Sequence, residues 1–171
     1  MKQYTFKATD KGIVGKAFEM AIKDALSRKS ADRVSPCGVA DFKFNNKNYD
    51  VKQNGTVLKY SEHQSYVKGS NRVIYATHVS YNTITQDSEH ITIAIDLLNT
   101  DMFVVDKKAF VQFLQSIGCI KLNKQRDTVN VQTVYNYSKE KYHGRKGVMI
   151  EEWASENYID DEIMDIIFNR A

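Results

Sequence analysis

Residues 39 to 54, "VADFKFNNKNYDVKQN", constrain the fold more than any other stretch of the chain. Val39 to Phe44 and Asn48 to Asn54 each alternate in character, and the "NNK" between them is rich in residues that tolerate unusual backbone angles. Two alternating runs joined by such a turn are expected to form a β-hairpin. Alternation then sends Asp50 and Lys52 to one face of the strand, and Tyr49 and Val51 to the other, toward a core. Asp41 lies across the turn on the partner strand, within reach of Asp50. Two carboxylates side by side raise each other's pKa unless a positive charge sits between them, and a hard divalent cation is such a charge.

The elements around the hairpin follow from periodicity. In "GIVGKAFEMAIKDALSRKS", Val14, Phe18, Ile22 and Ala25 recur at three- and four-residue spacing, so an amphipathic helix is expected, with Asp10 as its cap. Pro36, with Ser35 and Gly38 around it, makes "ADRVSPCGV" a loop. "SEHQSYVK" suggests a helical turn, and "RVIYATHVSY" a β-branched and aromatic strand. "HITIAIDLL" and "MFVVD" read as two further strands joined by "NTD". "KKAFVQFLQSIG" reads as a short helix ended by Gly118. "TVNVQTVYNY" is a strand before the polar loop "SKEKYHGRKG". In the last segment, "YIDDEIMDIIFNR", Ile159, Ile163, Ile166 and Ile167 form a stripe with acids opposite, so a terminal helix docks its apolar side.

With 171 residues, 42% of them hydrophobic and 26% charged, the chain can bury a core without disulfides or structural metal. Cys37 and Cys119 have neither zinc-site spacing nor a second cysteine nearby, so both are read as reduced thiols. No signal peptide or membrane span is visible, and a cytoplasmic location with no membrane partner is expected. No repeat or linker divides the chain, so residues 1–171 are read as one domain. The net charge of +3 hides an asymmetry. Residues 121 to 146 hold seven Lys or Arg against two acids, and residues 147 to 171 hold one against seven. A basic face suits a phosphate backbone, although solvated faces of unrelated elements would give the same counts.

An acid followed two residues later by lysine occurs three times, at Asp41, Asp50 and Asp106. Asp106 opens a helix and reads as its cap, and Asp41 with Lys43 is the partner strand. Only Asp50 has an acid on the preceding strand of a hairpin. In this order of elements, "GVADFKF" followed by "YDVKQ" resembles the PD-(D/E)XK nucleases, which include restriction enzymes and Holliday-junction resolvases. The resemblance covers residues 12 to 115. It implies an α/β (α+β) restriction-endonuclease-like core, a central mixed β-sheet flanked by helices, here with a C-terminal helix. By that resemblance Asp41, Asp50 and Lys52 are catalytic, and Glu19 of "GKAFE", Asp41, Asp50 and the carbonyl of Val51 hold Mg²⁺ or Mn²⁺. The implied activity is hydrolysis of DNA leaving 5′-phosphate and 3′-hydroxyl ends, and resolvase-like relatives imply a homodimer. Small size and Asn, Lys and Tyr usage suggest a phage or mobile-element source. No proline directly precedes Asp41, and Asp50 stands where glutamate is common. A regular strand sends Gln53 to the face opposite Lys52.

Other chemistries find little support. His63, His78, His90 and His143 lack zinc-protease spacing, and the scattered glycines form no nucleotide-binding turn. Tyrosines interleave with cations most densely in "YNYSKEKYHGRKG", where Lys139, Lys141, Tyr142, Arg145 and Lys146 are expected to contact DNA. The alternative from another class is a module that binds nucleic acid or protein without cutting. Whether Glu19, Asp41, Asp50 and Lys52 converge separates the two.

Overall fold

The computed structural model describes residues 1–37, 40–53, 71–125, 128–133 and 145–169. Its class is mixed α+β. Strand β1 (Gln3–Lys7) leads through a turn into helix α1 (Ile13–Ser30), and a 3₁₀ turn (Ala31–Arg33) leads to the short β2 (Val34–Ser35). The hairpin β3 (Phe42–Phe44) and β4 (Lys47–Gln53) follows, then β5 (Asn71–His78), β6 (Tyr81–Gln86), β7 (His90–Ile95) and β8 (Asp101–Asp106). Helix α2 (Lys107–Ser116), the pair β9 (Ile120–Gln125) and β10 (Thr128–Thr133), α3 (Arg145–Glu156) and α4 (Glu162–Ile167) complete the order.

The central sheet has five strands in the order β2-β3-β4-β5-β8, antiparallel except for the parallel pair β4 and β5. A second sheet, β1-β7-β6, stands beside it, and β9 and β10 pair antiparallel. β5 lies inside the sheet between β4 and β8, and its Val73 to Ala76 are all fully buried. A strand covered on both faces has no polar side to alternate with, which is why this segment reads as a continuous apolar run.

One face of the sheet packs on α1, whose Ala17, Phe18, Ala21, Ile22, Ala25 and Leu26 meet Phe42, Phe44, Tyr49, Ile74 and Val104. The other packs Val73, Tyr75 and Val105 against Phe110, Val111 and Leu114 of α2 and Ile150 and Ala154 of α3. The turn of the hairpin is two residues, Asn45 and Asn46, with φ of +50° and +65°. A two-residue turn of this hand requires positive φ at both positions, and asparagine reaches that region more readily than other side chains. Lys47, read from sequence as part of the turn, therefore already pairs with Phe44.

Several boundaries differ from the sequence reading for local reasons. Asp10 does not cap α1. Its carboxylate accepts from Lys7 N at 3.2 Å in the turn after β1, and the helix starts beyond Gly12, which sits at φ +66°. Asp106 does cap α2, accepting from Ala109 N at 2.9 Å, and Gly118 follows the helix at φ +77°. Arg145 to Gly147, read as the end of a polar loop, begin α3 instead. Ile150, Trp153 and Ala154 supply its packed stripe, and Trp153 stacks on Phe113 at 5.1 Å. "SEHQSYVK", Val39 and residues 134–144 lie outside the described residues.

The terminal helix docks as the isoleucine stripe demands, with Ile163 and Ile167 buried. Its acids are not all solvated, because Asp161 is buried. Asp161 caps α4, accepts from Tyr49 OH at 3.0 Å and pairs with Arg72. Glu162 receives both nitrogens of Arg33 at 2.7 and 2.5 Å. The start of α4 is thereby pinned to β4 through Tyr49 and to β5 through Arg72. Among the described residues no helix is long and apolar enough to cross a membrane.

Candidate active site

The regular ladder of the hairpin ends at Phe42, paired with Tyr49. Asp41, one residue before, bends out of the strand. Its backbone N still donates to Tyr49 O at 3.0 Å, and its side chain takes the next place in the ladder, Oδ2 accepting from Val51 N at 2.7 Å. A carboxylate held by a backbone amide is oriented without help from flexible side chains. Tyr49 anchors the strand beneath it, stacked on Phe42 with ring centroids 5.4 Å apart.

Glu19 comes to Asp41 from α1. It lies on the turn of the helix that follows Gly15 and precedes the buried Ile22, so its side chain leaves the packed stripe at the rim. Burial, a hydrogen bond to Asp41 and the charge of Asp41 together push the Glu19 carboxyl up to about 7, against the pull of Lys23 and Lys52. Lys23 Nζ is 4.0 Å from its Oε1. Burial and the adjacent Asp41 carboxylate both favour the protonated form of Glu19.

These groups line a cleft of about 210 Å³ between the first turns of α1 and the end of β4. Glu19, Asp41, Val51 and Lys52 all border it, so the structure brings together four of the five residues that the resemblance assigned to catalysis or metal binding. The fifth, Asp50, does not border it. Its carboxylate is buried on the α2 face of the sheet, 2.6 Å from Nζ of Lys107, which is itself buried. The sheet order explains the meeting. Asp50 sits in register with Val73 of β5 and Val73 with Val105 of β8, and α2 starts two residues after Val105. Lys107 therefore reaches back across β5 to β4.

Gln53 keeps regular alternation: it is in register with Ala76, on the α1 side of the sheet with Val51, and its Nε2 lies 3.5 Å from where a Cβ on Gly15 would be. Lys52 borders the same cleft at the end of β4, although alternation sends it to the side of Asp50. Lys16 joins from α1. Sequence spacing gave no sign of Lys16 or Lys107, because each reaches its position through the packing of a helix on the sheet.

Of the expected DNA-contacting residues, Lys139, Lys141 and Tyr142 lie outside the described residues, as does the side chain of Arg145. Lys146 is half-buried in the first turn of α3, its Nζ 3.6 Å from where a Cβ on Gly118 would be. Cys37 donates to Asn48 Oδ1 at 3.4 Å and Cys119 is buried; neither is in a disulfide. A larger groove of about 820 Å³ runs along the opposite side of α1. Its lining is mostly apolar; of its two acids, Asp24 is engaged by Tyr4 OH at 2.5 Å and Lys2 at 3.4 Å, and Asp96 accepts from Asn99 N at 3.3 Å. Both acids are thus engaged with other groups, and the smaller cleft is where Glu19 meets Asp41.

The donor set of the cleft fits a hard cation. Glu19 and Asp41 offer carboxylate oxygens in contact, and Mg²⁺ is commonly held by one or two carboxylates, with waters and substrate phosphate completing its shell. Among the described residues no group of three or more His, Cys, Asp or Glu gathers as a fuller cage. The chain matches no family model, no curated protein and no solved structure.

Proposed function

We propose that the protein is a metal-dependent deoxyribonuclease that hydrolyses phosphodiester bonds. The observation that carries this reading is the contact between the Glu19 and Asp41 carboxyls, beside Lys52, in a cleft open to solvent. Glu19 and Asp41 would hold Mg²⁺ or Mn²⁺. When bound, such a cation polarises a phosphate oxygen and lowers the pKa of water. Asp41 is kept in place by Val51 N, so its oxygen does not reorganise during the reaction. Glu19, pushed up to about 7, is the acid whose proton a bound cation would displace. Lys52 places an ammonium where negative charge develops on the phosphate. Restriction-endonuclease-like organisation of the core and a homodimer belong to the same proposal.

A specific observation favours the second reading, a module that binds nucleic acid or protein without cutting. Asp50 is committed to Lys107 outside the cleft. Cleavage of supercoiled and branched DNA with Mg²⁺ or Mn²⁺, by wild type and by Asp41→Ala, Lys52→Ala and Asp50→Ala, distinguishes the two. A nuclease loses about 100-fold or more of its rate with Asp41→Ala and with Lys52→Ala. DNA binding by every form with cleavage by none establishes the binding module.

A further inference from the structure

The sheet β1-β7-β6 leaves β6 at its edge, paired with β7 alone among the described residues. All six of its residues, Tyr81 to Gln86, are exposed, so both faces of the strand meet solvent. The ladder shows which backbone groups are left over. Asp96 N donates to Ser80 O at 2.9 Å, so Ser80 turns its carbonyl toward β7. Bonding residues alternate along an antiparallel pair. Asn82, opposite Ala94, therefore also faces β7, and the N–H and C=O of Tyr81 and Thr83 point away from it. Between Thr83 and Thr85 the ladder slips by one residue, so the regular edge is the short run Tyr81 to Thr83.

We propose that this edge is a homodimer interface, at which β6 of a second copy of the chain lies antiparallel with Asn82 on the twofold axis. In that register Tyr81 stands opposite Thr83 of the other copy, and the two exchange N–H···O=C bonds in both directions. The axis repeats the pair, so the outward donors and acceptors of each strand satisfy those of the other. The strand carries no charge. Laid against itself it opposes no like charges, and it gives a charged foreign segment no counter-ion. Asn82 meets its own copy across the axis with a donor and an acceptor in each amide. The pairing also covers Tyr81, a large side chain otherwise 45% exposed. The other edges of the two larger sheets are blunted. β1 ends in Lys7, β2 is two residues long, and Val104 of β8 already accepts from Ile159 N at 2.7 Å. This surface gives the homodimer of the nuclease reading its interface and includes no residue of the cleft.

Sedimentation equilibrium without DNA or metal, over a wide range of chain concentration, tests the interface apart from any cleavage. Thr83→Pro removes an outward N–H while leaving the bonds to β7, and Thr83→Lys sets a lysine on each side of the pair. Circular-dichroism melts verify that both variants fold. Wild type is expected to approach twice the mass of one chain at high concentration, and both variants to stay at one. A wild type that stays monomeric, or a dimer that persists in either folded variant, overturns the interface, whether or not the protein cleaves DNA. Asn82→Cys tests the register. Residues facing each other at a non-hydrogen-bonded position lie about 4.5 Å apart at Cα, within disulfide reach. Mild oxidation is expected to link most of Asn82→Cys into a covalent dimer. Thr5→Cys, exposed on β1, is expected to link no more than wild type with its native Cys37 and Cys119. Equal linking of the two cysteine variants refutes the pairing.

Discussion

Replacing Glu19 by glutamine tests the physical core of the site without any assumption about substrate. Glu19 moves from 4.5 to about 7 in the folded protein, with burial as the largest cause and the hydrogen bond to Asp41 next. A displacement of that size corresponds to about 3 kcal/mol at most. The Glu19 side chain is 28% exposed, so solvent screening reduces the figure to about 1–2 kcal/mol. A folded-state pKa above the unfolded one means that the protonated acid is the stabilised form. The contribution is therefore complete below about pH 4.5 and is lost as pH rises through about 7. Glutamine keeps an N–H donor for Asp41 and has no proton to lose. Urea unfolding of both proteins at fixed ionic strength should show wild type losing about 1–2 kcal/mol relative to Glu19→Gln between pH 5 and pH 8. Mg²⁺ at millimolar concentration should shrink that difference by taking the proton's place. A stability difference that stays constant across this pH range refutes the contact between the two acids, and with it the cation site.

Three further outcomes follow from the packing. Asp161→Ala removes the partner of Tyr49 and Arg72 together with the cap of α4, at a cost of about 3–5 kcal/mol. In a chain of this size that lowers Tm by on the order of 10 °C in calorimetry, and a fall below about 3 °C contradicts the clamp. Lys107→Met strands the buried Asp50 carboxylate and should cost about 3–5 kcal/mol in urea unfolding, most of it recovered when Asp50→Asn is added. Strict additivity of the two changes argues against the pair. In the hairpin turn, Asn46→Gly should be neutral or slightly stabilising while Asn46→Val costs about 1–2 kcal/mol, since Asn46 sits at φ +65°. Equal stability of the two variants would mean that the turn is not of this hand.

The elements that sequence anticipated well are those whose signal is local. The hairpin declared itself through alternation and paired asparagines, α1 through the spacing of Phe18 and Ile22, and α2 through Asp106 at its start and Gly118 after its end. α3 was missed because its buried side chains, Ile150, Trp153 and Ala154, lie beyond a polar lead-in that resembles a loop. Asp10 was misassigned as a cap because a carboxylate before a helix and one closing the turn after a strand look alike in sequence. In the cleft, Glu19, Asp41, Val51 and Lys52 were named from the hairpin and its resemblance to nucleases. Gln53 and Asp50 were placed by strict alternation, which holds for both; what alternation could not show is that α1 makes the cleft on the side of Gln53 and Val51 while α2 brings Lys107 to Asp50 on the other.

Sequence by itself determined the hairpin, the helix that packs on it and the candidate acids, because a period of two or of 3.6 residues dictates which side chains share a face. Only the tertiary structure decided which of those acids meet. Asp41 left its strand to accept from Val51 N, so its carboxylate faces Glu19. Asp50 stayed in the ladder and met Lys107, brought from 57 residues away by the order β4-β5-β8. Charges separated this far along the chain find each other only through the sheet that sets their distance, and distance is what fixes whether a carboxylate takes a lysine, a proton or a cation as its partner.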